Sequence, residues 1–450
     1  MNLTEKINEL AKDAYECYDI PFDSYNSLNL KRGLRNHDGT GVLAGVTRVC
    51  EVHGYVMSED EKSPIPGKLS YRGYDINDLT ANPGINGRFG FEEIAYLLLF
   101  GKLPTLDELK MFCEYIAENR ELPNYFVEDM ILKAPSRNIM NKMARSVLTL
   151  YSYDDNPDAT DIENVMRQSL TLLAQMPMIA AYAYSAKVHH FDKKSLIIHQ
   201  PKSELSTAEN LLRMLNMTKQ FTPLDAHILD TALMLHMEHG GGNNSTFSCR
   251  VLSSTGTDTY SAIGGAICSL KGPKHGGANA RVIGMIDDLQ NSVSDWTNEN
   301  QVYDYLVKII KKQAYDKSGL IYGMGHAVYT LSDPRAVLLK KKAKMLCDEK
   351  GEMEMYHLYS TIERLAPQVY KDVTGKEKIM CANVDLYSGL VYRMLKIPDD
   401  LFTPLFAIAR TAGWCAHRME EIISGGKIIR PAYKTLIKRD RKYVDIYHRQ

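Results

Sequence analysis

Apolar residues recur at helical spacing along nearly the whole chain and almost nowhere at the two-residue spacing of a strand. This pattern limits the fold more than any other feature. The segment Phe91–Phe100 (FEEIAYLLLF) is closed by Gly101, with Pro104 just beyond, both of which are helix-end signals. Residues 105–119 open with Thr105 as a candidate N-cap and carry carboxylates in the first turn. Similar patterns recur at 161–187, 206–217, 224–239, 300–314, 334–349 and 401–423. Only 41–55 alternates with β-branched residues, and 67–73 reads as its continuation, so one small β ribbon is expected near 41–73. The fold class is mainly α. A chain of 450 residues is long for one core, so two domains are expected.

The formal charge is −1, which excludes a global attraction for nucleic acid or anionic lipid. Any anion must be held by locally placed arginines. The eight cysteines are scattered, with no C-x-x-C pair, which predicts reduced, mostly buried thiols and a cytoplasmic protein. The acidic, amphipathic N-terminus has neither the apolar run of a signal peptide nor the bias of a transit peptide. The most apolar stretch, 170–186, contains Gln175 and Pro177 and is followed by Lys187, His189 and His190. It predicts a buried helix pair kinked or broken at Pro177 and no membrane span.

Glycines cluster at 240–242, 264–265, 276–277, 323 and 325, and most of these lie beside a histidine. They suit places where backbone approaches a ligand. His236 and His239 are three apart in LHMEHGGGNNSTF, so on a helix they share a face. With Glu238 they could suggest a metal, but the spacing is not that of zinc proteases, and no metal is expected. His275, in KGPKHGGAN, either donates to a carbonyl oxygen or caps a turn. His326 lies in a Gly-flanked turn of GMGHAVYTLSDPR, and Arg335 follows a proline placed to start a helix. Together they suit a carbonyl with an adjacent carboxylate. Asp385, in NVDLYSG, is a helix cap or a general base. Arg410 sits among apolar neighbours and needs an anionic partner, from the protein or from a substrate. Arg430, in KIIRPAY, is a second arginine in apolar company. There is no P-loop and no dinucleotide fingerprint.

These segments resemble the citrate synthase family, in the family's order. HMEHGGGNNSTF, GPKHGGAN, GHAVYTLSDPR, NVDLYSG, ARTAGW and IIRPAY all match it. The upstream LSYRGYDINDL and FEEIAYLLLFGKLPT are also similar, so the resemblance runs from about residue 40 to the C-terminus. It implies condensation of acetyl-CoA with oxaloacetate, followed by hydrolysis of citryl-CoA, with no cofactor beyond the substrates. It implies that His275 holds the thioester oxygen, Asp385 takes the methyl proton and His326 polarises the ketone. His239, Arg335, Arg410 and Arg430 would bind oxaloacetate, with Arg430 acting in trans across a homodimer. The implied architecture is a large helical domain (1–279 and 389–450) with a smaller helical domain (280–388) inserted.

Some family members carry a basic residue between the GHAV histidine and the DPR arginine, whereas this chain has AVYTLSDP. Phosphates of CoA would then fall to Lys340, Lys341 or Lys342, or to backbone amides. The first 40 residues match nothing in the family. A 2-methylcitrate synthase using propionyl-CoA shares the chemistry and differs by one methylene, worth about 1–3 kcal/mol. A non-catalytic CoA-binding helical protein would be expected to lose His275, His326 or Asp385, and all three are present.

Overall fold

The computed structural model describes residues 3–36, 38–58, 61–85, 87–216, 218–437 and 442–449. It is mainly α. Helices α1 (Leu3–Tyr18) and α2 (Phe22–Ser27) precede a ribbon of β1 (Cys50–Ser58), β2 (Glu61–Tyr71) and β3 (Tyr74–Asp75). Then come α3 (Ile76–Ile85), α4 (Phe91–Phe100), α5 (Leu106–Glu118), α6 (Ile139–Leu150), α7 (Ile162–Asp192), α8 (Thr207–Leu215) and α9 (Pro223–His236). They are followed by α10 (Asn244–Ser253), α11 (Thr259–Leu270), α12 (Ala278–Ser292), α13 (Glu299–Ile310) and α14 (Pro334–Lys350). The last are α15 (Met353–Thr374), α16 (Val384–Met394) and α17 (Phe402–Ile423).

Local chemistry sets several boundaries as expected. Thr105 caps α5 in a full capping box with Glu108, and Gly101 ends α4 in the left-handed conformation. Other boundaries are set from a distance. The start of α4 has no cap of its own, and the Asp230 carboxylate of α9 accepts from the amides of Gly90 and Phe91 at 2.7 and 3.1 Å. Burial pushes that carboxyl up to about 8. Glu92 in turn accepts from the Thr207 amide at the head of α8.

Two expectations need correction. Ile162–Asp192 is one helix, α7, with Pro177 inside it, and not a pair. The missing amide removes one hydrogen bond, but the helix is buried without a break from Leu172 to Ala183, and packing outweighs that loss. The ribbon starts at Cys50, not at 41. Cys50 pairs with Tyr71, and Arg72 and Gly73 turn the chain there with positive φ, so 42–49 has no strand to pair with. β2 also begins earlier than read, because Pro64 and Pro66 are tolerated on a strand with little pairing on its other side.

Of the thiols, Cys50, Cys249, Cys347 and Cys415 are buried, Cys113 and Cys381 half-buried, and Cys268 is exposed. The side chain of Cys17 lies outside the described residues. No helix among the described residues is long and apolar enough to cross a membrane.

α17 runs through the middle of the molecule, packed on α4, α7, α9, α10 and α11. α12 to α16 pack on one another, with α14 and α16 touching α9. The ribbon leans on the loop before α14. The Gly67 amide donates to the Ser332 carbonyl at 3.1 Å, and a Cβ there would strike that carbonyl and the Tyr329 ring. Gly67→Ala should therefore destabilise the protein by roughly 1–3 kcal/mol, the usual cost of overpacking. A denaturant midpoint equal to the parent's would show that the ribbon is not seated on this loop.

Candidate active site

Residues 33–35 and 40–48, the ribbon, the loop after α9, the loops before α12, α14 and α16, and α17 line an open cleft of about 2020 Å³. His239, His275, His326, Arg335, Asp385 and Arg410 all line it. Arg430 does not. It is exposed on the extended segment after α17, so the apolar company read from its neighbours in sequence is not its environment in the monomer.

His275 lies in the turn after α11. The Ser245 amide donates to its Nε2 at 3.3 Å, and the Ser245 hydroxyl lies 3.1 Å from the same nitrogen. That hydroxyl is fixed by Trp414, whose Nε1 donates to it at 3.2 Å, and by Asn243 Oδ1 at 2.9 Å. An amide donating to Nε2 places the ring proton on Nδ1. His326 has the opposite arrangement. The Val328 and Tyr329 amides donate to its Nδ1 at 3.0 and 3.1 Å, so its proton is on Nε2. Burial lowers both rings to about 4, with Arg410 adding to this for His275 and Arg335 for His326. Both are neutral donors at neutral pH. His239 packs edge-on against His326, centroids 5.1 Å apart, and its buried Nε2 has no partner among the described residues. Burial also drives it well below the usual histidine range.

Asp385 is in the first turn of α16. Asn383 is the cap, its Oδ1 accepting from the Asp385 amide at 3.0 Å, so the Asp385 carboxylate is not spent on capping. Burial pushes Asp385 up to about 6, against the pull of Arg335. Asn383 also donates through Nδ2 to the Gly325 carbonyl at 2.9 Å, and its amide donates to Gly323. These bonds tie the His326 turn to the head of α16. Gly323 has a φ of 84°, and a Cβ on it would meet Leu386.

Arg335 and Arg410 differ in how they are held. Arg335 is clamped by Asp333, which outweighs burial and holds the guanidinium above its usual value. Arg410 donates through Nε to the His236 carbonyl at 2.7 Å and lies over the Phe406 ring at 4.8 Å. Its Nη1 and Nη2 are buried without partners among the described residues. Glu238 is near but is bonded to His417 at 3.0 Å. Burial pulls Arg410 below its usual value. Arg418, two turns further along α17, is equally buried but donates to Thr259, Ser253 and Thr257. Among the described residues no carboxylate is hydrogen-bonded to Arg410, although Glu238 attracts it across space.

α9 ends at His236, so the shared helical face with His239 is lost, and His236 stacks on Phe406 outside the cavity lining. Among the described residues, no group of three or more His, Cys, Asp or Glu is placed to hold a metal ion. Lys340, Lys341 and Lys342 do not line the cavity, and Lys340 pairs with Glu363 at 2.6 Å. Arg35 and Lys274 do line it. Sequence reading missed the positioning groups Ser245, Asn383 and Asp333. Each stands within a few residues of a residue already singled out, which was the only available signal.

Fold and site together define a mainly α enzyme whose cavity sets proton-handling groups beside arginines suited to an anion. The family model for the citrate synthase C-terminal domain matches residues 37–432, and the chain belongs to the citrate synthase family. The citrate synthase of Haloferax volcanii is 34% identical over 428 residues, covering 94% of this chain and 100% of the relative. A 2-methylcitrate synthase of Corynebacterium glutamicum is 33% identical over 415 residues, 91% of this chain and 95% of the relative. The citrate synthase of Thermoplasma acidophilum, solved as a ternary complex with carboxymethyl coenzyme A and oxaloacetate, superposes with a TM-score of 0.77 at 26% identity. That match covers 93% of this chain and 99% of the solved one.

A cation buried without a counter-ion costs stability. Arg410→Met should leave the ligand-free protein as stable as the parent, or more stable by about 1 kcal/mol or more. A marked loss in chemical denaturation would mean that the bond to the His236 carbonyl, the Phe406 contact and the attraction of Glu238 outweigh the cost of burying the charge.

Proposed function

We propose that this chain condenses acetyl-CoA with oxaloacetate and hydrolyses the citryl-CoA formed, giving citrate and CoA. The observation that carries this is the convergence, in one cavity, of a raised carboxyl and two neutral histidines beside a buried guanidinium whose Nη1 and Nη2 are unpartnered among the described residues. Asp385 takes a proton from the acetyl methyl, while His275 Nδ1–H donates to the thioester oxygen where negative charge develops. A neutral donor suits this role, since a charged one would trap the enol. The enol carbon attacks the ketone of oxaloacetate, and His326 Nε2–H gives its proton to the ketone oxygen. Water then cleaves the thioester. Arg335, Arg410 and His239 hold oxaloacetate, the planar guanidinium groups matching its carboxylates. His326, Arg335 and Asp385 come from a smaller domain at 280–388, and the others come from the rest of the chain. The Thermoplasma complex, with a CoA derivative and oxaloacetate bound to a related chain, supports the same ligands here.

Acetyl-CoA plus oxaloacetate should release free CoA thiol, with a higher kcat/KM than propionyl-CoA. The reverse ratio would make the chain a 2-methylcitrate synthase, and no thiol from either would end the reading. Asp385 must be ionised to act. The rate should therefore fall as pH drops through about 6, and Asp385→Asn should cost about 10²–10⁴-fold in kcat. A rate independent of pH from 5 to 8, in the absence of other limits, would remove Asp385 from this role.

Arg430 completes the site of a second copy in a homodimer. Its exposure, its absence from the lining of its own cavity and the exposed Tyr433, Leu436, Ile437 and Tyr443 near it in the chain favour this arrangement. Residues 438–441 and 450 of that arm lie outside the described residues. Asp385→Ala and Arg430→Ala chains refolded together should regain about one quarter of parental activity. Half the dimers are mixed, and one of the two sites in each is whole. With mixed dimers shown by mass, activity equal to the sum of the separate variants would place Arg430 in its own subunit's site.

A further inference from the structure

Arg335 reaches the cavity from the first turn of α14, on a long stem that would swing freely if nothing held it. Asp333 holds it at three points. Its Oδ1 accepts from the Arg335 amide and from Arg335 Nε, both at 3.0 Å, and its Oδ2 accepts from Arg335 Nη2 at 2.8 Å. The Asp333 side chain is fully buried, and the same carboxylate is the N-cap of α14. One edge of the guanidinium is thus committed to the protein. Arg335 Nη1 makes no hydrogen bond among the described residues, and Arg335 lines the cavity. Tyr329 lies beneath, its ring centre 5.9 Å from the guanidinium carbon.

We propose that Asp333 is a positioning residue for substrate binding. It fixes Arg335 so that the free Nη1 edge faces the bound oxo acid, and it does so through the same carboxylate that caps the helix. This inference rests on reading the cavity as the oxaloacetate site. A purely electrostatic role would act in the other direction, because removing Asp333 would leave Arg335 with more charge to offer an anion.

Asp333→Asn and Asp333→Ser test this, since Asn and Ser also cap helices and should keep α14 in place. Binding of oxaloacetate to the whole protein is measured by calorimetry, independently of turnover. Both variants should bind oxaloacetate about 10–100-fold more weakly, as expected when a binding group is misplaced by about an ångström. KM for acetyl-CoA should stay within about twofold.

The pH profile gives a second readout. The Asp385 carboxyl is faced by Arg335 and Asp333 from the head of α14 and by Tyr392 from its own helix. The cavity also holds His326 from the loop before α14, His275 from the turn after α11, and Arg410 from α17. Arg335 favours the carboxylate form of Asp385 and Asp333 opposes it. Loss of the Asp333 charge should move the acid limb of kcat to lower pH. An unchanged or tighter oxaloacetate affinity, with only the melting temperature lowered, would make Asp333 structural and overturn the proposal. Failure of the parent itself to bind oxaloacetate would overturn the function along with it.

Discussion

A guanidinium with no carboxylate hydrogen-bonded to it among the described residues is buried in this helical bundle, and its neighbours are arranged around that fact. Arg410 gives its Nε–H to a backbone carbonyl and keeps the N–H groups of Nη1 and Nη2 in reserve. Arg418 shows what a buried arginine on the same helix does when its role is structural, with hydroxyls and a carbonyl meeting its N–H groups. The difference is a cost borne by the ligand-free fold, and it is the kind of cost that a bound carboxylate removes.

The same burial sorts the titratable groups around the cavity. A low-dielectric site disfavours charge of either sign, so the histidines go down and the carboxyl goes up. Arg335 and Arg410 push the histidines further the same way. The result is three neutral imidazoles and a carboxylate that is ionised near neutrality yet basic enough to accept a proton. Backbone amides then select the tautomers. Ser245 leaves the proton of His275 on Nδ1, and the 328–329 amides leave that of His326 on Nε2. Two residues of one type thereby present different nitrogens to one cavity.

The site is held by short-range stitching between segments far apart in sequence. Asn383 caps the helix that bears Asp385 and grips the turn that bears His326. Trp414 and Ser245 brace His275 from two further helices. The β ribbon supports the loop between His326 and Arg335 through Gly67.

Much of this was legible in the sequence, because periodicity and capping are local properties. α4 and the capping box of α5 follow from residues within one turn of each other. The glycine-flanked histidines and the Asp385 segment could be picked out as chemistry, and their resemblance to one family supplied the roles. What the sequence could not contain were decisions made by packing. Pro177 stays inside a continuous helix because the burial around it outweighs one lost hydrogen bond. Residues 42–49 are not a strand because Tyr71 is the last partner available to the ribbon. Asp230 caps α4 across more than a hundred residues. Which nitrogen of each histidine carries the proton, and which arginine is left without a partner, depends on groups brought within about 3 Å only by the folded chain. Residue types and local periodicity determined the elements and the candidate chemistry. Tertiary contacts alone decided how each group is charged, oriented and paired, because burial and hydrogen-bond geometry do not exist until the helices have packed.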